Sequence, residues 1–108
     1  AAKEPRVARG FYEKSMELDP DYFGPWLGGG IAAYRDGDRA RAEQWLRRSA
    51  DLLPTAPALY YLGSIARDSG RADEALGFFR NAAASNSEIG RQAAADYAVL
   101  DLPRNPAN

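Results

Sequence analysis

Two close pairs of carboxylates, Asp19/Asp21 and Asp36/Asp38, have the spacing that acid–base or cation chemistry uses. Such pairs do chemistry when one member is held protonated or when both grip a metal. Here each pair sits beside proline or glycine in a turn, where aspartate caps the next helix or closes a local hydrogen bond. That structural role is the expectation for both. The run Gly28-Gly29-Gly30 has the composition of a phosphate loop, but no Lys-Ser or Lys-Thr follows it. It also falls inside a helical pattern rather than before one. Histidine and cysteine are absent, which removes the usual general base, thiol nucleophile and soft metal ligands. The chain is therefore expected to be no enzyme and to need no cofactor or metal.

Arg35, Arg39, Arg41, Arg47 and Arg48 crowd one stretch, as basic residues do in RNA-binding proteins. Asp36, Asp38, Glu43 and Asp51 are interleaved with them, which describes a solvated helix face and no nucleic-acid partner. Across the chain 14 basic residues face 15 acidic ones, so there is no general pull toward polyanions or anionic lipid. With 108 residues, 45% of them hydrophobic and 27% charged, the chain fits one ordinary folded domain. No apolar run has the length that spans a bilayer, so no direct membrane insertion is expected. No apolar stretch follows Lys3, so Ala1 to Pro5 is not a signal peptide. Lack of cysteine suits an oxidising compartment without requiring one. Twelve arginines against two lysines are a mark of a GC-rich bacterial genome.

The elements that position these residues repeat. Ala8, Ala42 and Ala75 recur at intervals of 34 and 33, and Pro20 and Pro54 are again 34 apart. Gly30 and Gly63, like Gly37 and Gly70, are separated by 33. Apolar spacing marks helices from Phe23 to Asp36, Arg39 to Leu52, Leu59 to Ser69, Ala72 to Ser85 and Glu88 to Leu100. Trp26, Gly30 and Ala33 form the inward stripe of one helix; Ala42, Trp45, Leu46 and Ser49 form that of the next. Gly37-Asp38 and Gly70 break each pair, and Pro20 and Pro54 stop helix continuation at the unit boundaries. Ala94, Tyr97 and Ala98 are expected on the preceding layer, with Arg91, Gln92 and Asp96 toward water or a partner. Pro103 and Pro106 end the regular structure. Close helix packing accounts for Gly30. Gly28 and Gly29 each cost about 1 kcal/mol relative to alanine, and either lower the wall of a binding groove or reflect drift.

These residues resemble the tetratricopeptide repeat family. Its pattern is carried first by Trp26, Gly30, Ala33, Tyr34, Gly37, Ala42, Trp45, Leu46 and Pro54. It is carried again by Leu59, Leu62, Gly63, Ala66, Gly70, Ala75, Phe79 and Ala82, after a half unit of Ala8, Tyr12, Ser15 and Pro20. Gly29 and Ser87 depart from it, where leucine and proline are usual. The resemblance implies an all-α, right-handed solenoid of about six antiparallel helices. The expected layout is a half repeat over 3–22, repeats over 23–55 and 56–87, a capping helix over 88–101 and an extended tail over 102–108. A chain opening in the second helix of a unit is expected to be part of a longer array, with a natural three-layer adaptor as the alternative.

In resembling proteins the first helix of each unit lines a groove that holds another protein. Helical spacing matches that face to Leu27, Ile31, Tyr34 and Arg35, then to Tyr60, Tyr61, Ser64 and Arg67, with Arg91 extending it. The alternative for Leu27, Ile31 and Tyr61 is packing between helices. Leu27 and Ile31 stand where the carboxylate clamp of chaperone co-factors has lysine and asparagine, so that clamp is not expected. The cysteine-free, arginine-rich repeats, with Ala93 to Tyr97 and Leu102 to Pro106, look like the periplasmic repeat arm of outer-membrane exopolysaccharide exporters of the Pel and cellulose type. That likeness implies a periplasmic scaffold recruiting a polysaccharide-modifying enzyme in biofilm formation. Direct contact with polysaccharide and a cytoplasmic adaptor are the alternatives.

Overall fold

The structure, a computed structural model, describes residues 3–104, with side chains from residue 7 to residue 103. The described residues form six α-helices and no strand: α1 (Lys3–Leu18), α2 (Phe23–Arg35), α3 (Arg39–Leu52), α4 (Ala56–Asp68), α5 (Ala72–Ala83) and α6 (Glu88–Asp101). Within α1–α3 and within α4–α6, short connections make consecutive helices antiparallel neighbours. The chain divides into two compact units, Ala1–Pro54 and Thr55–Asn108.

In the first unit α2 packs against both α1 and α3. Asp38 starts α3 by accepting the Arg41 N–H at 3.1 Å, and Gly37 before it takes φ +85°, a conformation that strains any other residue. Arg9 on α1 reaches this turn, 2.9 Å from Asp36 and 3.5 Å from Asp38. The carboxylate pair thus caps and braces, as its turn setting implied. The α1–α2 connection is tied down too. Trp26 donates its indole N–H to the Pro20 carbonyl at 2.9 Å, while Arg48 pairs with Asp21 at 3.1 Å. Trp26 is half-buried by this arrangement rather than sunk in the core. Ala42, Trp45, Leu46 and Ser49 are all buried, matching the inward stripe expected of α3. The other crowded arginines are surface groups, and Arg47 pairs with Glu43 one turn away at 2.8 Å.

The glycine run is a packing device. A Cβ on Gly30 would lie 2.6 Å from Leu46 Cγ, one on Gly29 2.7 Å from Met16 Cε, and one on Gly28 2.5 Å from the Tyr12 ring. Gly28 and Gly29 therefore do not lower a groove wall for a partner; the chain's own Tyr12, Met16 and Trp45 occupy that space.

In the second unit α4 packs on α5, α5 on α6, and α6 also touches α4. Thr55 caps α4 by accepting the Ala58 N–H at 3.3 Å, and Pro57 sits in its first turn, so this helix begins three residues before the Leu59 expected from apolar spacing. α5 ends at Ala83, two residues short of expectation, where the turn to the Ser87 cap of α6 begins. Gly63 lets the Phe79 ring come to 2.7 Å of where its Cβ would be. Ala66, Ala75, Phe79, Ala82 and Ala93 make the core, with Leu59, Tyr60, Phe78, Tyr97 and Leu100 around it. α6 docks through Gly90, Ala93, Tyr97 and Leu100; Ala94 and Ala98, expected on this layer, face solvent. Any side chain at Gly90 would strike the Ser85 carbonyl, so only glycine admits this approach. Past α6, Leu102–Arg104 forms a 3-10 turn around Pro103, in place of the extended tail expected from residue 102. Pro106 and the rest of the expected tail lie outside the described residues.

Candidate partner-binding site

The polar centre of the second unit lies where α4 meets α6. The Tyr60 hydroxyl donates to Asp96 Oδ2 at 2.7 Å, and Gln92 donates to Asp96 Oδ1 at 2.9 Å. Arg67 Nη1 stands 3.7 Å from the same carboxylate and its Nε 3.2 Å from Asp68. Both long side chains are also seated on the core. Arg67 lies 5.7 Å from the Phe79 ring centre, and the Tyr60 ring packs 5.7 Å from Phe79 and, edge-on, 5.7 Å from Tyr61. Burial, and then the hydrogen bond to Asp96 and its negative charge, push the Tyr60 phenol up to about 12. Tyr60 is thus a neutral donor at any physiological pH.

Beside this set is an open cleft of about 220 Å³ lined by Arg67, Asp96, Val99, Leu100 and Pro103. One wall is charged and the other apolar, with Val99 strongly exposed. An aliphatic or aromatic side chain fits the apolar wall, while Arg67 and Asp96 offer a donor and an acceptor to a polar group or backbone amide. Among the described residues no group of His, Cys, Asp and Glu is arranged to hold a metal. No helix of the described residues is long and apolar enough to cross a membrane.

The residues expected on a binding face divide between the units. Leu27, Ile31 and Tyr34 are half-buried along α2 in the first unit, and Arg35 is exposed near its end. In the second, Tyr60 and Arg67 come together around Asp96 and Tyr61 lies half-buried beside Tyr60. Ser64 presents no surface: it is 3% exposed, and its hydroxyl donates to the Tyr60 carbonyl at 3.2 Å. Arg91 is exposed but lies on the α6 stripe of Ala95, Ala98 and Leu102, apart from the cleft. Sequence reasoning leaves Val99, Leu100 and Pro103 out of the site and puts Asp96 only toward water or a partner, not on the binding face. The i, i+4, i+7 spacing that picks out Leu27, Ile31 and Tyr34 also picks out Gln92, Asp96 and Val99, but on a helix that reads as a cap.

No family model and no curated protein matches this sequence. Among solved structures, TTC0263, a thermophilic TPR protein of Thermus thermophilus, superposes with a TM-score of 0.75 at 23% identity over 91% of the chain. The chain spans 50% of that protein's length. Helix for helix, the polypeptide has the tetratricopeptide-type fold that its repeat spacing implied.

Proposed function

We propose that the chain is a non-catalytic protein-interaction scaffold that receives an extended segment of a partner protein on the α4/α6 face. The observation that carries this is the pre-ordered set Tyr60, Arg67 and Asp96 beside the apolar cleft of Val99, Leu100 and Pro103. Groups already held in place lose little freedom on binding, and tyrosine and arginine supply much of the energy at protein interfaces. Sugar stacking is the weaker reading. The Tyr60 ring is enclosed by Phe79 and Tyr61 and its hydroxyl is taken by Asp96, so no open aromatic platform stands there. The finer assignment, recruitment of a polysaccharide-modifying enzyme in the periplasm during exopolysaccharide export, is supported by sequence likeness in the repeats.

The test is affinity capture from separate envelope and cytosolic fractions of the source organism, using the chain and an Arg67→Ala/Val99→Glu variant. Both positions are exposed, so helix content by circular dichroism should not change. The variant is expected to bind the captured protein about tenfold more weakly, and neither form should bind a glycan series. Equal capture by both forms would remove the face from the proposal. Capture only from cytosol would remove the periplasmic assignment alone.

A further inference from the structure

We propose, with the α4/α6 face as the place where a partner binds, that Arg67 and Asp96 together recognise a neutral carboxamide, the side chain of a glutamine or asparagine in the partner segment. The two residues form an ion pair that is held open. Arg67 Nη1 and Asp96 Oδ2 stand 3.7 Å apart, too far for a hydrogen bond. Other groups hold each of them. Among the described residues Arg67 hydrogen-bonds only through Nε, to Asp68 at 3.2 Å, and its guanidinium lies 5.7 Å from the Phe79 ring centre. Asp96 is held by the Tyr60 hydroxyl on Oδ2 and the Gln92 amide on Oδ1. A carboxylate has room for about four hydrogen bonds, so Asp96 keeps acceptor capacity beside an arginine whose Nη groups keep donors. Both side chains line the cleft.

A donor beside an acceptor selects its complement. In a primary amide the oxygen and nitrogen are about 2.2 Å apart, as the bond lengths dictate. Two hydrogen bonds of about 2.9 Å then reach from that group to atoms 3.7 Å apart with only a slight splay. The amide oxygen accepts from Arg67, and the amide N–H donates to Asp96. A carboxylate in this place meets the charge of Asp96, and an ammonium meets that of Arg67. Like charges this close work against either ion, whereas the amide carries no charge. A trans peptide group points its carbonyl and N–H in opposite directions, so no single backbone amide supplies both. The methylene stem of the side chain lies on the apolar wall of Val99, Leu100 and Pro103.

Peptides of alanine and leucine with one central position set to glutamine, asparagine, glutamate, lysine or alanine test this by NMR titration of the isotope-labelled chain. Acetyl and N-methylamide caps are used, because an unsubstituted terminal amide is itself a carboxamide. The glutamine and asparagine peptides are expected to shift the Gln92 side-chain and Val99 signals and to bind about tenfold more tightly than the others. Two variants then separate recognition from structure. Asp96→Asn keeps an acceptor for the Tyr60 hydroxyl but removes the charge, so the glutamate peptide should gain about tenfold on the glutamine peptide. Arg67→Met keeps an apolar stem over Phe79, and there the lysine peptide should gain instead. Circular dichroism checks that both variants keep their helices.

Equal binding of every peptide would give the pair to the N–H and carbonyl of an extended residue and overturn the proposal. A preference of the unmodified chain for glutamate or lysine, or no shift with any peptide up to about 10 mM, would overturn it too. Each of these leaves the binding face standing if the Arg67→Ala/Val99→Glu variant still loses the captured partner. Loss of the face shows instead as equal capture by that variant.

Discussion

α2 carries Gly28, Gly29 and Gly30 where α4, 33 residues on, carries Tyr61, Leu62 and Gly63. At the third position the two units agree, and the reason is shared. Gly30 faces buried Leu46, and Gly63 faces buried Phe79, each on the second helix of its own pair. At the first two positions they differ, because in the first unit the bulk comes from the other side. Tyr12 and Met16 of α1 reach over Gly28 and Gly29, filling volume that Tyr61 and Leu62 supply from α4 itself. A packed interface needs its volume filled but is indifferent to which helix provides it. Glycine is demanded only where the opposing group cannot move.

The sharpest way to break this comparison is to substitute the shared position. Gly30→Ala and Gly63→Ala are each expected to cost about 2 kcal/mol. Overpacking against a buried side chain outweighs the helix propensity that alanine gains. Urea unfolding measures both. If either change stabilised the protein, the close approach would not be what requires glycine there.

Gly28 should behave differently, since Tyr12 is half-buried and has room to swing. In the unmodified chain Gly28→Ala is expected to cost about 1 kcal/mol, whereas in a Tyr12→Ala background it should stabilise by about 1 kcal/mol, as alanine does in an open helix. The sign reversal in that double-mutant cycle is the signature of bulk exchanged across an interface. Additive effects would mean that Tyr12 and Gly28 are not coupled.

How much of this was legible in the sequence follows from what each signal depends on. Helix pairing, the turns at Gly37 and Gly70 and the buried side of α3 depend on spacing within one segment, and the 33- and 34-residue periods display them. The purpose of Gly28 depends on Tyr12, sixteen residues earlier and one helix away, and no period announces that contact. Spacing misplaces the α6 docking side toward Ala94 and Ala98 because apolar alanines run round much of that helix. Gly90 and Ser85 decide the angle, through a carbonyl that no side-chain pattern reveals. Spacing turns Asp96 toward water or a partner but hides its tie to Tyr60 and Arg67, which comes from α4 lying beside it.

At Tyr60 the units differ again, since its counterpart 33 residues earlier is Leu27, with nothing to titrate. The folded phenol titrates at about 12, above its ordinary value of about 10. Folding therefore favours the protonated form. The resulting stabilisation is whole below pH 10 and is lost as pH rises through 12. Tyr60→Phe is expected to cost about 1 kcal/mol at neutral pH, for one hydrogen bond. Its disadvantage should shrink above pH 10, and tyrosinate absorbance should lose its latest step. A variant that kept that step would assign the high titration to another of the six tyrosines.

The smallest effect comes from carrying one feature of the first unit into the second. Asp38 and Arg71 hold the same place before α3 and α5 and nearly the same backbone, φ −90° ψ 77° and φ −97° ψ 72°. Only the aspartate caps its helix; α5 has no side-chain cap. Arg71→Asp should supply the missing acceptor, worth about 1 kcal/mol in a helix of this kind. It removes the exposed Arg71–Glu74 pair, which contributes little, and adds negative charge where Asp73 and Glu74 already crowd the helix start. The balance is a stabilisation of about 0.5 kcal/mol, read as a small rise in the urea midpoint. A fall instead would show that α5 is anchored by the Arg71 side chain rather than left uncapped, and that equal backbone geometry does not make the two turns interchangeable.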